Sequence, residues 1–209
     1  MRLLLIGGGG HCRSILDCAI SSGRYDQFGI VDFDSSASAL GIPVVGTDDD
    51  LPALLESGWD SAFVSVGSVG STVLRRKLYQ KIKDLGFNIP VIADPTAVIA
   101  AGTEIGEGSF IGKNAVVNTG SVVGRCAIIN TGAIIEHDCK VGDFSHMSPG
   151  AILCGQVTVG ADSHIGAGTV VRQQITIGDC SLIGAGSAVV KDIPENVTTF
   201  GNPCKVVVK

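Results

Sequence analysis

Aromatic residues make up only 5% of the 209 positions, which leaves few platforms on which the bases of a nucleic acid could stack. Basic charge is scarce as well. Fifteen Lys and Arg against twenty Asp and Glu give a net charge of −5, so the chain has no electrostatic footprint for nucleic acid. No run of eighteen apolar residues occurs, and no transmembrane helix is expected. The apolar stretch at the N-terminus is too short for a signal sequence and reads as a strand. The seven cysteines are odd in number and none forms a Cys-x-x-Cys pair. That speaks against a disulfide framework or a zinc site, no metal is expected, and a reducing cytoplasm is the implied setting. Most of the cysteines read as small buried residues.

What is present is a core and a repeat. Hydrophobic residues reach 45% and charged ones 17%, enough to bury a sizeable interior. An apolar residue recurs at every sixth position without insertion: Ile99, Ile105, Ile111, Val117, Val123, Ile129, Ile135, Val141, Met147, Leu153, Val159, Ile165, Val171, Ile177, Ile183, Val189. A fixed hexad period is the signature of a parallel β-helix, with three hexads to each triangular turn. Residues 97–192 then make a little over five turns, and stacking at ~4.8 Å gives a coil roughly 25 Å tall. The periodic residues point inward. Small residues stand two positions before them (Ala97, Thr103, Ser109, Ala115, Ser121, Ala127, Ala133). Gly or Asn commonly follows them (Gly106, Gly112, Asn118, Gly124, Asn130, Gly142), a choice that reads as tolerance of unusual corner dihedrals.

The first 94 residues follow a different pattern. Arg2 to Ile6 reads as a buried strand, Gly7 to Gly10 as a turn, and His11 to Ser21 as a helix. Backbone N–H groups gathered at a helix N-terminus suit an anion. Gln27 to Asp32 is a second strand, Val44-Val45 a short apolar piece, and Asp48 to Ser57 a helix capped by Thr47. Ala62 to Val66, Thr72 to Leu85 and Ile89 to Ile92 complete a strand, helix and strand. Alternating strands and helices imply a parallel sheet with right-handed crossovers. A nicotinamide site is disfavoured because Cys12 stands where the dinucleotide pattern wants its third glycine. A small nucleotide or nucleotide-sugar site is the better reading, with a tight turn lacking any ligand as the alternative. The chain therefore divides into an α/β, Rossmann-like domain at 1–94 and a β-helix at 95–209 that ends in a short tail.

Taken together, the Gly7–His11 loop, the hexads, the segment Asn130 to Cys139, Phe144-Ser145-His146 and Gly201-Asn202-Pro203 resemble the sialic-acid O-acetyltransferase-type sugar acyltransferases. These are hexapeptide-repeat enzymes with a left-handed β-helix, and the handedness is taken from the family. The branch includes bacterial enzymes that N-acetylate nucleotide-linked 4-amino-dideoxy sugars. The resemblance implies an acetyl-CoA-dependent N-acetyltransferase acting in the cytoplasm on a nucleotide-linked amino sugar for surface glycan synthesis. It also implies a homotrimer with active sites between neighbouring coils.

Acetyl transfer needs a base to take a proton as the acceptor attacks the thioester, and histidine suits that near neutral pH. By resemblance His137 is the base and Asp138 its orienting partner, with Glu136 also in reach. His146, half a turn further on, is expected to contact acetyl-CoA, together with Gly155, Ala167 and Ala185. A backbone N–H near Gly155 is the expected oxyanion donor. The acceptor is expected on the first domain, at Gly8, Gly9, Gly10, His11, Asp32, Gly67, Ser68 and Arg75. Arg13, beside the loop histidine, departs from many relatives and leaves the sugar and its nucleotide open. Cys139 sits in a small-residue slot and is discounted as a nucleophile, and His164 is read as structural. Two other readings are O-acetylation of sialic acid or a related sugar, and a non-catalytic trimeric scaffold.

Overall fold

The structure is a computed structural model that describes residues 1–36 and 38–207. The chain opens with β1 (Arg2–Ile6), α1 (Gly10–Ser21), β2 (Gln27–Val31), β3 (Ser38–Ala39), β4 (Ile42–Gly46), α2 (Leu51–Glu56), β5 (Ser61–Val64) and α3 (Val73–Asp84). Leu3, Leu4, Leu5 and Ile6 are buried, as a strand covered on both faces requires. The sheet order is β3-β4-β2-β1-β5, parallel except for the β3–β4 pair.

Two expectations shift here. The helix expected from Asp48 starts instead at Leu51, with Asp50 in the cap position and Pro52 in its first turn. Thr47 does not cap it. Its N–H and hydroxyl donate to the Asp50 carboxylate at 2.8 and 2.9 Å, which closes a turn ahead of the helix. The strand expected over Ile89–Ile92 does not join this sheet, which Asn88 touches only through an isolated bridge to Ser61. Pro90 has no N–H for a ladder, and its carbonyl already accepts from Gly108 of the coil. The next strand, β6 (Ile92–Ala93), pairs with Phe110–Ile111 and is the first rung of the coil.

Sixteen two-residue strands follow, from Val98–Ile99 to Ala188–Val189, each ending on one of the periodic apolar residues. Each as far as Val170–Val171 pairs in parallel with the strand three hexads on, as in Val116↔Ile134↔Ile152. The coil is a left-handed β-helix with three flat sheets. From Ile111 onward the periodic residues are at most 3% exposed, and Ser109, Ala115, Ser121, Ala127 and Ala133 are buried beside them. Ile99 is 39% exposed because the ladder has its end there. The end of the expected tail, Val208-Lys209, lies outside the described residues.

The corners correct the reading of glycine. A left-handed backbone recurs once per hexad from Gly102 to Gly186, with φ between 52 and 79°, but it falls three positions after the inward residue. The glycines directly after the inward residue answer a different need. A Cβ on Gly142 would lie 2.5 Å from the Ala161 amide nitrogen of the next turn, and one on Gly112 would lie 2.9 Å from that of Thr131. Those positions are small because adjacent turns touch there.

The outward residues give the three sheets different surfaces. One sheet turns Phe110, Ile128, His146, His164 and Leu182 towards the α/β domain. Phe110 and Ile128 join that domain's core with Leu3, Cys12 and Phe63. A second sheet carries Glu104, Val122, Lys140, Thr158 and Thr176 outward, a largely polar surface. The third carries Val98, Val116, Ile134, Ile152, Val170 and Ala188, an unbroken apolar column. Helix α3 lies along one corner. Arg76 pairs with Asp162 at 2.6 Å, Lys83 with Glu107 at 2.6 Å, and Tyr79 donates to Glu107 at 2.6 Å. Among the described residues no helix is long and apolar enough to cross a membrane.

Candidate active site

His137 stands at the corner that leaves the apolar-faced sheet, two positions past the inward Ile135. Its side chain is 53% exposed. Asp138 follows in the left-handed conformation at φ 59°, which an aspartate tolerates, and this turns its carboxylate back to the ring. Nδ1 of His137 lies 2.9 Å from Oδ2 of Asp138. A carboxylate can only accept, so Nδ1 carries the proton and Nε2 keeps its lone pair. Glu136 does not reach the ring. Its carboxylate accepts from Asn118 Nδ2 at 3.1 Å and from the His137 N–H at 3.4 Å. The tautomer and its carboxylate make a general base, the geometry by which an acidic partner orients imidazole.

Gly155, three hexads on, lies one turn further along the same corner. A Cβ there would sit 2.4 Å from His137 Nε2, so only glycine leaves the ring its place. The Gly155 carbonyl accepts from Gln174 N, while its own N–H is given no acceptor by the coil. Next to it is a cavity of ≈ 430 Å³ lined by Cys154, Arg172, Gln173 and Gln174. Ala167 and Ala185 are exposed at another corner, the one leading from the domain-facing sheet. One coil therefore does not bring them to the same groove as His137 and Gly155.

His146 projects from the domain-facing sheet, half a turn from His137, into the junction with its own α/β domain. Nδ1 is 3.1 Å from the Ser68 carbonyl and Nε2 is 3.1 Å from Asn130 Nδ2. Asn130 Oδ1 accepts from Thr131 N, which fixes its amide as donor to the ring. Both imidazole nitrogens thus have partners within the chain. The side chain instead ties the coil to the loop after β5. Burial lowers its pKa to about 3, with the Ser68 carbonyl acting against the shift. His164 packs edge-on against it at 4.9 Å and meets Ser148 Oγ at 3.1 Å.

The expected acceptor residues lie at the carboxyl ends of β1, β2 and β5. Gly7 needs its positive φ of 104° and its missing Cβ, which would strike Val66 at 2.5 Å. Gly9 and Gly10 have open space where a Cβ would be, and α1 has no side-chain cap and no acid in its first turn. The loop's free donors therefore face outward. Asp32 is committed to the protein: Oδ2 accepts Gly8 N at 2.6 Å and Oδ1 accepts Asp34 N at 3.0 Å, so it shapes the loop. His11 turns under the loop, edge-on to Phe110 at 5.5 Å and close enough to Gly67 that a Cβ there would lie 3.3 Å away. Its Nε2 is buried without a partner, and burial lowers its pKa to about 4.

Arg75 differs most from expectation. It is 3% exposed, and its guanidinium donates to the carbonyls of Phe144 at 3.0 Å and of Cys126, and to Ser68 Oγ at 3.3 Å. It clamps α3 to two corners of the coil, and its Nε is buried without a partner. Desolvation lowers its pKa to about 10. Cys139 lies wholly inside the coil, where burial raises its pKa, which suits filling rather than nucleophilic attack. Two members of the site escape a motif-based reading although the register contains them. Asn118 stands one full turn before Glu136 and Arg172 two full turns after it, so both belong to its corner.

A model of the PglD N-terminal domain matches residues 2–82. Among solved structures, perosamine N-acetyltransferase from Caulobacter crescentus, as a histidine variant in complex with CoA and GDP-perosamine, is similar over the whole chain. The TM-score is 0.95 and the identity 37%, covering 100% of this chain and 98% of that one. The acetyltransferase domain of PglB from Neisseria gonorrhoeae FA1090, in complex with acetyl coenzyme A, gives a TM-score of 0.90 at 38% identity, over 99% and 98% of the two chains. WeeI from Acinetobacter baumannii AYE shares the fold at 24% identity, with a TM-score of 0.88 over 99% of this chain and 100% of that one.

Proposed function

The chain belongs to the hexapeptide-repeat sugar acyltransferase family of these relatives, and from that premise we propose that it transfers acetyl from acetyl-CoA to the amine of a nucleotide-linked 4-amino-dideoxy sugar. The observation that carries this reading is the His137–Asp138 pair, with a lone pair free on Nε2 beside a glycine that leaves the ring room. The sugar amine attacks the thioester carbonyl and a C–N bond forms. His137 Nε2 takes the amine proton, and Asp138 stabilises the imidazolium through Nδ1–H. The tetrahedral intermediate then collapses, the C–S bond breaks, and the CoA sulfur receives the proton from His137. The free N–H of Gly155 suits the developing oxyanion. Arg172, at the neighbouring cavity, offers positive charge to the phosphates of acetyl-CoA.

Residues 1–94 hold the acceptor in this reading, its diphosphate at the open N–H groups of Gly9 and Gly10, and residues 95–209 hold the donor. Two chains share each site. Ala167 and Ala185 stand at a different corner from His137, and a groove between two coils is the arrangement that joins them. The apolar column of the third sheet supports the same assembly. Val98 is 61% exposed and Val170 43%, and a second copy is what would cover them. A homotrimer closes three such contacts. Seven free cysteines support a reducing, cytoplasmic setting.

The test is thiol release from acetyl-CoA against a panel of nucleotide-linked amino sugars and their hydroxyl counterparts. Turnover is expected with 4-amino sugars. His137→Ala is expected to lower kcat about a thousandfold and Asp138→Asn about a hundredfold. Full turnover by His137→Ala overturns the base assignment, and turnover with hydroxyl acceptors alone overturns N-acetylation.

A further inference from the structure

The His137–Asp138 pair leans in two directions along the coil. The imidazole reaches forward over Gly155 of the next turn, and the carboxylate reaches back towards the turn before. Gly120 stands there, three hexads ahead of Asp138 on the same corner. A Cβ on Gly120 would lie 2.5 Å from Asp138 Oδ1 and 3.5 Å from the carboxyl carbon. Oδ2 meets the ring at 2.9 Å, whereas Oδ1 accepts no hydrogen bond among the described residues. No bond therefore holds the second oxygen, and the space at Gly120 is what lets the carboxylate keep its angle to the ring.

The backbone does not account for this glycine. Gly120 has a φ of 71°, but Asn114, Cys126, Phe144 and Gln156 hold the same left-handed corner with side chains, at φ between 52 and 64°. Crowding by backbone does not account for it either. The nearest backbone atom to an added Cβ is Asp138 N at 3.7 Å, an ordinary contact. At Gly102, one turn earlier on the same corner and at φ 79°, a Cβ meets nothing within 4 Å. What sets Gly120 apart is the carboxylate that leans over it.

Resting on the assignment of His137 as the base, we propose that Gly120 is a positioning residue for the transfer. Its missing side chain keeps the Asp138 carboxylate aligned with His137 Nδ1. A carboxylate is the free end of a side chain with two rotatable bonds, so an added methyl displaces it at little cost to the fold. The displaced group no longer accepts from Nδ1–H. The ring then loses the partner that keeps the proton on Nδ1 and the lone pair on Nε2. The imidazolium formed during transfer also loses its counter-charge. The effect falls on kcat rather than on KM, because the contact matters most when the ring carries charge.

The experiment is a double-mutant cycle of Gly120→Ala with Asp138→Asn, read by thiol release from acetyl-CoA and by thermal melts. Gly102→Ala is the control for left-handed strain. Gly120→Ala is expected to lower kcat about thirtyfold, with KM for acetyl-CoA within about twofold of the unaltered protein. Gly102→Ala is expected to melt like it and to keep full kcat. In the Asp138→Asn background, Gly120→Ala is expected to cost less than about a further twofold, because the contact it disturbs is already gone. Gly120→Asn eases the strain of the corner, as Asn114 does, and serves where Gly120→Ala does not fold. Its kcat is expected to fall at least about tenfold. Nitrogen NMR of the imidazole is expected to show the Nδ1–H tautomer in the unaltered protein and a mixture in the Gly120 variants. Unchanged kcat in either folded Gly120 variant, an unchanged tautomer, or an equal loss with and without the Asp138 carboxylate overturns the proposal and leaves the base assignment standing. Full turnover by His137→Ala or Asp138→Asn overturns the pair itself, and the proposal with it.

Discussion

Asp138 illustrates how a residue is placed by backbone rather than by propensity. A left-handed corner costs a non-glycine residue roughly 1–2 kcal/mol, less for aspartate, and here it aims a carboxylate at the preceding ring. Gly155 gives the complementary case, a missing side chain that leaves room for the ring. Gly155→Ala is expected to displace His137 and lower kcat by about a hundredfold, with little change in melting temperature. Steady-state kinetics beside a thermal melt checks this, and unchanged kcat would show that the ring has no fixed place. His146 and His11 make a prediction about pH. Their folded values, about 3 and about 4, lie below the ordinary value of 6.5. Above pH 6.5 both are neutral, folded or unfolded, and their full contribution is present. As pH falls below 6.5 the unfolded chain takes up protons that the folded chain refuses. Stability is then lost at up to ~1.4 kcal/mol per pH unit for each group until their folded values are reached. Urea titrations on either side of that ordinary value, at about pH 7.5 and about pH 5, should show the loss, and His146→Gln should reduce the slope by about half.

The element to consider is the hexad, whose positions have separate physical demands. The inward position asks for volume, the one before the strand for a small side chain, the corner for positive φ, and the one after the inward residue for no Cβ where adjacent turns touch, as along Gly106, Gly124, Gly142, Gly160 and Gly178. Gly160 belongs to the close-approach class, since a Cβ there would meet Asp179 N at 2.5 Å. Cys180 occupies a corner at φ 55° and is exposed. Gly160→Ala is therefore expected to destabilise by at least ~2 kcal/mol, because backbone must move. Cys180→Gly is expected to be neutral or slightly stabilising, because the corner strain is relieved. Denaturant midpoints of the two variants check the distinction. Equal effects would mean that the two glycine classes are one.

At the scale of the molecule, the three sheets of the coil have separate surfaces. One packs on the chain's own α/β domain, one is largely polar, and in the proposed assembly a second copy covers the apolar one. Ile134→Glu places charge in the middle of that column. It is expected to give a folded monomer without activity, measured by light scattering and thiol release. Mixed oligomers offer a stricter test of a shared site. His137→Ala and an Ala185→Trp variant are each expected to be inactive alone. Refolded together, they should recover part of the activity, because some grooves then draw both intact corners from different chains. No recovery would mean that each chain holds a whole site.

Ile99 to Val189 determined the coil by sequence alone, because a buried ladder with identical turns must repeat its chemistry at a fixed interval. The same register put His137 at a corner and His146 on another face. It also contains Arg172, since the residues of one corner recur at every full turn. The glycines show its limit: composition marked their positions, but whether a dihedral or a neighbouring turn demands them depends on distances between turns. The fates of Arg75 and His146 were decided by tertiary structure alone. The sequence points both towards a ligand, yet both are held in the junction between the two halves of the chain, by carbonyls at Cys126, Phe144 and Ser68. Those carbonyls carry no signature in the sequence, since every residue has one. What makes them partners is the docking of α3 and the loop after β5 onto the coil, a packing event between segments far apart in the chain.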